Sequence, residues 1–115
     1  MIKVLLVDDQ DILVQGLKLI LGAEEDIEIC EIVHNGKKAY ESCKWKRPDV
    51  VLMDIQMPEM NGVEATALIK KDFPNIKIIV LTTFNDDQYI YDALRNGASG
   101  YLLKDTSPAE IAKAI

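Results

Sequence analysis

Short apolar runs alternate with stretches of helical period along the whole chain. The runs are Val4–Val7, Ile27–Val33, Val50–Met53, Ile76–Leu81 and Tyr101–Leu103. Most are continuously apolar and rich in β-branched residues, the pattern of strands covered on both faces. The run from Ile27 alternates instead, Ile27 and Ile29 against Glu28 and Glu31, which suits an edge strand. Between the runs, Leu13, Leu17, Ile20 and Leu21 follow the 3.6-residue spacing on one helical face. A second helix is predicted over Gly36–Lys46, opened by the Asn35-Gly36 turn and stopped near Pro48. A third covers Gly62–Phe73 and ends at Pro74. A fourth covers Asp86–Asn96, with Ile90, Ala93 and Leu94 on one side and Gly97 where a left-handed cap is wanted. Ser107-Pro108-Ala109-Glu110 reads as a fifth start: serine cap, proline at the first position, glutamate reaching back.

Strand and helix thus alternate five times. Alternation at this spacing demands an α/β fold: a (βα)5 doubly wound parallel sheet with right-handed crossovers and helices on both faces. An open five-stranded sheet of this kind favours strand order 2-1-3-4-5, and ligands then sit beyond the carboxyl ends of strands 1 and 3, where the order reverses. The last helix, Pro108 to Ile115, is only about 12 Å long. The chain therefore reads as a fragment of a larger parent, cut inside or just after that helix.

Length and charge narrow the picture. At 115 residues the chain is one domain. Its net charge of −6 repels phosphate backbones, so nucleic acid is not expected to bind this segment directly. No apolar run approaches the roughly 18 residues that would span a bilayer, and Asp8 and Asp9 come too early for a signal peptide. No membrane association is expected. Cys30 and Cys43 form no CxxC pair and read as packing residues in a reducing cytosol.

The candidate chemistry falls at the strand ends. Strand 1 ends in Asp8-Asp9, strand 3 in Asp54, strand 4 in Thr82-Thr83 and strand 5 in Lys104. In a parallel sheet these ends share one rim. Two carboxylates about 4 Å apart at an effective dielectric near 20 repel by roughly 4 kcal/mol, so three stay ionised only with a cation among them. Lys104 supplies one charge, and an all-oxygen donor set points to Mg²⁺ for the rest. A carboxylate beside a metal, a lysine and a hydroxyl is equipped for phosphoryl transfer. Asp54, nearest the centre of the sheet, would be the nucleophile, with Asp8 and Asp9 holding the metal. Taken singly, each residue has a plainer reading: Asp8-Asp9 as a helix cap, Asp54 as the start of a turn, Thr82 as a strand residue and Lys104 as a solvated cation. All of these would have to coincide on one rim. His34, the lone histidine, reads as a turn residue, and Trp45 as packing or surface coverage.

At VLLVDD (4–9), DVVLMDIQMPEMNG (49–62), IIVLTTF (78–84) and GYLLKD (100–105) the sequence resembles the receiver domain of two-component response regulators over essentially its whole length. The resemblance implies a flavodoxin-like receiver fold over residues 1–115. It implies Asp54 as the phosphoacceptor, and Asp8, Asp9, Asp54 and the Gln56 carbonyl around Mg²⁺, Asp8 mainly through bound water. Thr82 and Lys104 would contact the phosphoryl group, and Thr82 and Tyr101 would form the switch. Gln56, Thr83 and Phe84 would tune the lifetime of the acyl phosphate. Many receivers have proline after the lysine; here it is Asp105, and Lys104–Asp105 is expected trans. TTFNDD and GASGYLLKD point to the NarL/FixJ-like subgroup, whose parents end in a LuxR-type helix-turn-helix. Implied with it are a sensor histidine kinase as donor, a homodimer on phosphorylation, DNA contact only through a C-terminal domain absent from this chain, a cytoplasmic location, and no turnover of an external substrate. Two other readings are a stand-alone receiver acting on a protein partner and a haloacid-dehalogenase-like phosphatase. The latter is suggested by Asp9-Gln10-Asp11, but strand 2 ends in Val33-His34-Asn35 without a serine or threonine.

Overall fold

A computed structural model describes residues 2–8, 10–54, 61–82, 87–103 and 108–115. In chain order the elements are β1 (Ile2–Val7), α1 (Asp11–Gly22), β2 (Ile27–Val33), α2 (Gly36–Lys46) and β3 (Val50–Asp54). They continue with α3 (Gly62–Asp72), β4 (Lys77–Thr82), α4 (Asp87–Arg95), β5 (Gly100–Leu103) and α5 (Pro108–Ala114). All strand pairs are parallel and the sheet order is β2-β1-β3-β4-β5, as the alternating pattern predicts.

Strand alternation divides the core into two layers. Leu5, Val7, Val51, Met53, Ile78 and Val80 pack against Ala39 and Cys43 of α2, Ala65 and Ile69 of α3, and Ala93 of α4. Val4, Leu6, Val50, Leu52 and Leu81 pack on the other side against Leu17 and Leu21 of α1 and Ile111 of α5. Val4–Val7 and Val51–Met53 are all 0–1% exposed, which is why these strands carry no polar alternation.

The edge strand β2 contains a bulge. Val4 pairs with Ile29 but Leu5 pairs with Glu31, leaving Cys30 without a register partner. An unbroken alternation would point Glu31 to the side of Ile27 and Ile29. The extra residue turns the phase, so Ile32 joins that side instead.

Helix ends follow local chemistry. Asn35 caps α2 by accepting the Lys38 N–H at 2.8 Å, and Asn61 and Glu64 form a capping box on α3. Arg47 ends α2 in the left-handed region (φ 49°) before Pro48. Its side chain is held there, Nε donating to the Lys44 carbonyl and the guanidinium lying 5.0 Å from the Phe73 ring centre. Gly97 has φ +108° after α4, the left-handed residue the sequence calls for. Two expectations need correction. Ile20 is 41% and Leu94 42% exposed, so neither belongs to the buried face of its helix. The α1 face is built instead on Val14, Leu17 and Leu21, at the edge of whose arc Ile20 falls. The side chain of Leu13 and the predicted starts of α4 at Asp86 and α5 at Ser107 lie outside the described residues.

Candidate functional site

The register brings the rim residues together. Val7 pairs with Met53, so Asp8, the next residue, comes beside Asp54, one interstrand spacing away, about 4.8 Å between backbones. Asp54 pairs with Leu81 of β4, and Thr82 pairs with Leu103 of β5. Asp8 is 2%, Asp54 1% and Thr82 1% exposed. Three polar side chains this deeply covered at the end of an apolar sheet are costly unless hydrogen-bonded, paired or bound to an ion.

Asp8 is held firmly. Its N–H donates to the Val33 carbonyl at 3.1 Å, and its Oδ1 accepts the Gln10 N–H at 2.8 Å. Its carbonyl faces His34 Nδ1 at 3.0 Å. The N-cap of α1 is Gln10, whose side chain makes no capping bond, so Asp8 is not the cap residue itself. The acid is left at the mouth of the helix, where the N-terminal dipole favours negative charge.

Of the residues singled out in the sequence, the fold thus places Asp8, Asp54 and Thr82 on one rim. Tyr101 lies on β5 paired with Val80 and is 49% exposed. Asp9, Gln56, Thr83, Phe84, Lys104 and Asp105 lie outside the described residues, and with them the expected trans Lys104–Asp105 peptide. Among the described residues no group of three or more His, Cys, Asp or Glu side chains gathers as a metal cage. The pair Asp8 and Asp54 nevertheless fits a hard divalent ion. Both donors are carboxylates, both are buried, and their mutual repulsion is relieved by a shared cation.

His34 lies in an exposed bend, as its reading as a turn residue expects, but its contact with the Asp8 carbonyl is not part of that reading. The residue directly follows β2, the strand beside β1, and that adjacency in the 2-1-3 order is the clue that could have found the contact. The cysteines behave as expected of packing residues. Burial pushes the Cys43 thiol up to about 12 and raises that of Cys30, so neither is a nucleophile at neutral pH. Trp45 is 78% exposed on α2, with Lys44 Nζ 5.8 Å from its ring centre, and takes no part in the site. No described helix is long and apolar enough to cross a membrane.

Residues 4–115 match the response regulator receiver domain. The chain belongs to that family. This receiver is 49% identical over 115 residues to the transcriptional regulatory protein LnrK of Bacillus subtilis, covering 100% of this chain and 52% of LnrK. It spans about half the length of the curated relatives it matches. Its fold is similar to that of a DNA-binding response regulator of the LuxR family from Staphylococcus aureus, with TM-score 0.92 and 34% identity over 98% of this receiver and 94% of that chain. It is also similar to a CheX-CheY-BeF3-Mg complex from Borrelia burgdorferi, with TM-score 0.87 and 27% identity, covering 97% and 84% of the two chains. These likenesses assign the receiver to a regulatory family of the LuxR and NarL type and do not favour the haloacid-dehalogenase-like reading.

Proposed function

We propose that Asp54 accepts a phosphoryl group from the phosphohistidine of a sensor histidine kinase. The observation that carries the reading is the placement of Asp54 beside Asp8, both buried, at the end of the central strand, with Thr82 on the neighbouring strand. A carboxylate oxygen of Asp54 attacks phosphorus. The new O–P bond forms as the N–P bond of the donor breaks, and its electron pair returns to the imidazole nitrogen, which takes up a proton. Asp8, Asp9, Asp54 and the Gln56 carbonyl hold Mg²⁺, which when bound offsets the charge of the phosphoryl oxygens. The donor set of this rim and the magnesium named with the CheY neighbour support that assignment. Lys104 pairs with the phosphoryl oxygens and Thr82 donates a hydrogen bond to one of them. Gln56, Thr83 and Phe84 tune the lifetime of the acyl phosphate.

Phosphorylation adds charge at a bistable rim. Thr82 moves toward the new group, and Tyr101, half-exposed beforehand, turns inward. That rearrangement favours a homodimer and passes the signal to a C-terminal DNA-binding domain, residues 1–115 being the receiver of a cytoplasmic transcription regulator. The greater length of LnrK, a transcriptional regulatory protein, and the likeness to a LuxR-family DNA-binding regulator support this output. The test is transfer from radiolabelled acetyl phosphate. Label is expected with Mg²⁺ and is expected to vanish with EDTA or in Asp54→Asn. Label that survives Asp54→Asn overturns the reading.

A further inference from the structure

His34 stands one residue beyond Val33, whose carbonyl accepts the Asp8 N–H at 3.1 Å. From there its Nδ1 reaches the Asp8 carbonyl oxygen at 3.0 Å. A carbonyl only accepts, so this bond requires the imidazole proton on Nδ1. With Gln10 N–H on Oδ1 at 2.8 Å, Asp8 is gripped at its N–H, its carbonyl and its carboxylate. Two of those grips use backbone atoms that any residue would supply. The grip on the carbonyl depends on the side chain at position 34.

The geometry points to His34 as a positioning residue of the acidic site: by fixing the Asp8 carbonyl it aims the Asp8 carboxylate at an ion shared with Asp54. The inference rests on the reading of Asp8 and Asp54 as metal-holding acids. The physical reason is leverage. The Asp8 carboxylate is joined to its backbone by two torsions, so a peptide free to tilt would swing the oxygens away from Asp54. Neighbouring hydrogen bonds that orient a metal ligand, without touching the metal, commonly set its affinity. Position 34 lies at the end of the edge strand, on the surface, so the side chain can be changed without opening the core.

The chemistry of the bond supplies its own control. In asparagine the amide nitrogen stands two bonds beyond Cβ, as Nδ1 does in histidine, so His34→Asn keeps a donor near the same place. His34→Leu keeps bulk and removes the donor. The experiment is a titration with Mg²⁺ alone, followed through the amide resonances of the chain at Asp8, Gln10 and Asp54. The wild type is expected to saturate. His34→Leu is expected to bind about tenfold more weakly, with unchanged far-UV circular dichroism, and His34→Asn to recover most of the loss. Affinity unchanged in His34→Leu, or equally weakened in His34→Leu and His34→Asn, overturns the positioning role. Wild-type affinity in Asp8→Asn overturns the metal reading itself and the inference with it, and is told apart because that variant leaves His34 intact.

Discussion

Asp49 precedes β3 and Asp54 ends it, and the two carboxylates are put to different use. Asp49 is exposed and spliced into backbone. Its Oδ2 accepts the Lys3 N–H at 2.9 Å, its own N–H donates to the Lys3 carbonyl at 2.9 Å, and its carbonyl accepts the Lys77 N–H at 3.1 Å. Asp54 is 1% exposed beside Asp8, itself 2% exposed. The same division runs along the two edges of the sheet. At the edge where strands begin, Lys70 Nζ donates to the Pro74 and Ile76 carbonyls at 2.8 and 2.9 Å. Helices end near that edge, and Lys44, Lys46, Lys70, Lys71, Arg95 and Lys113 stand in their last turns. At the edge where strands end, helices begin, and Asp8 and Asp54 collect there. In a doubly wound fold every helix points its positive end toward the carboxyl rim. Acid at that rim meets a favourable field and a like neighbour, which is a site for a cation and an anion. Acid at the opposite edge finds backbone donors and becomes structure.

The sharpest break of this comparison is Asp54→Asn against Asp49→Ala. The first is expected to abolish acetyl-phosphate labelling while raising stability without Mg²⁺ by about 1 kcal/mol or more, because a like-charge pair is removed. The second is expected to leave labelling intact. Loss of labelling in Asp49→Ala would erase the distinction between the two edges. Next in size is Gly97→Ala. It places a side chain at φ +108° and a Cβ 2.9 Å from Lys70 Cγ, on a lysine already anchored by two hydrogen bonds. A loss of about 2 kcal/mol in urea unfolding is expected, with no change in labelling. Asp49→Ala follows at about 1 kcal/mol, one exposed charge-assisted hydrogen bond to a backbone N–H, read by the same unfolding curve.

A further effect is alkaline. The Cys43 thiol is raised from 9.0 to about 12, so above pH 9 the unfolded chain releases a proton that the folded chain retains. The unfolded state then binds fewer protons and stability falls as pH rises from 9 toward 12. Unfolding at pH 8, 9 and 10 is expected to show that decline, at most about 1.4 kcal/mol per pH unit, and Cys43→Ala to flatten it. An unchanged slope in Cys43→Ala would mean that the thiol titrates alike in both states.

Much of this was legible in advance because the signals are local. Continuous apolar runs named the central strands, the Asn35-Gly36 turn named a helix start, Pro74 a helix end, and Gly97 a left-handed turn. The order 2-1-3-4-5 followed from crossover rules, and with it the expectation that strands 1 and 3 end side by side on one rim. What escaped depends on phase and neighbours. Ile20 and Leu94 sit at the margins of helical arcs, where spacing does not decide burial. The bulge at Cys30 turns half of β2 over, and no local pattern marks it.

The chain's own order of residues determined the five βα units and the line of acids, hydroxyl and lysine at their strand ends, because period, capping and crossover handedness act over a few residues at a time. Only the tertiary structure decided that Asp8 is buried beside Asp54 and that His34 grips its carbonyl. Those contacts depend on how β1 registers against β2 and β3, strands separated in the chain by whole helices and brought into line by the packing of both faces at once.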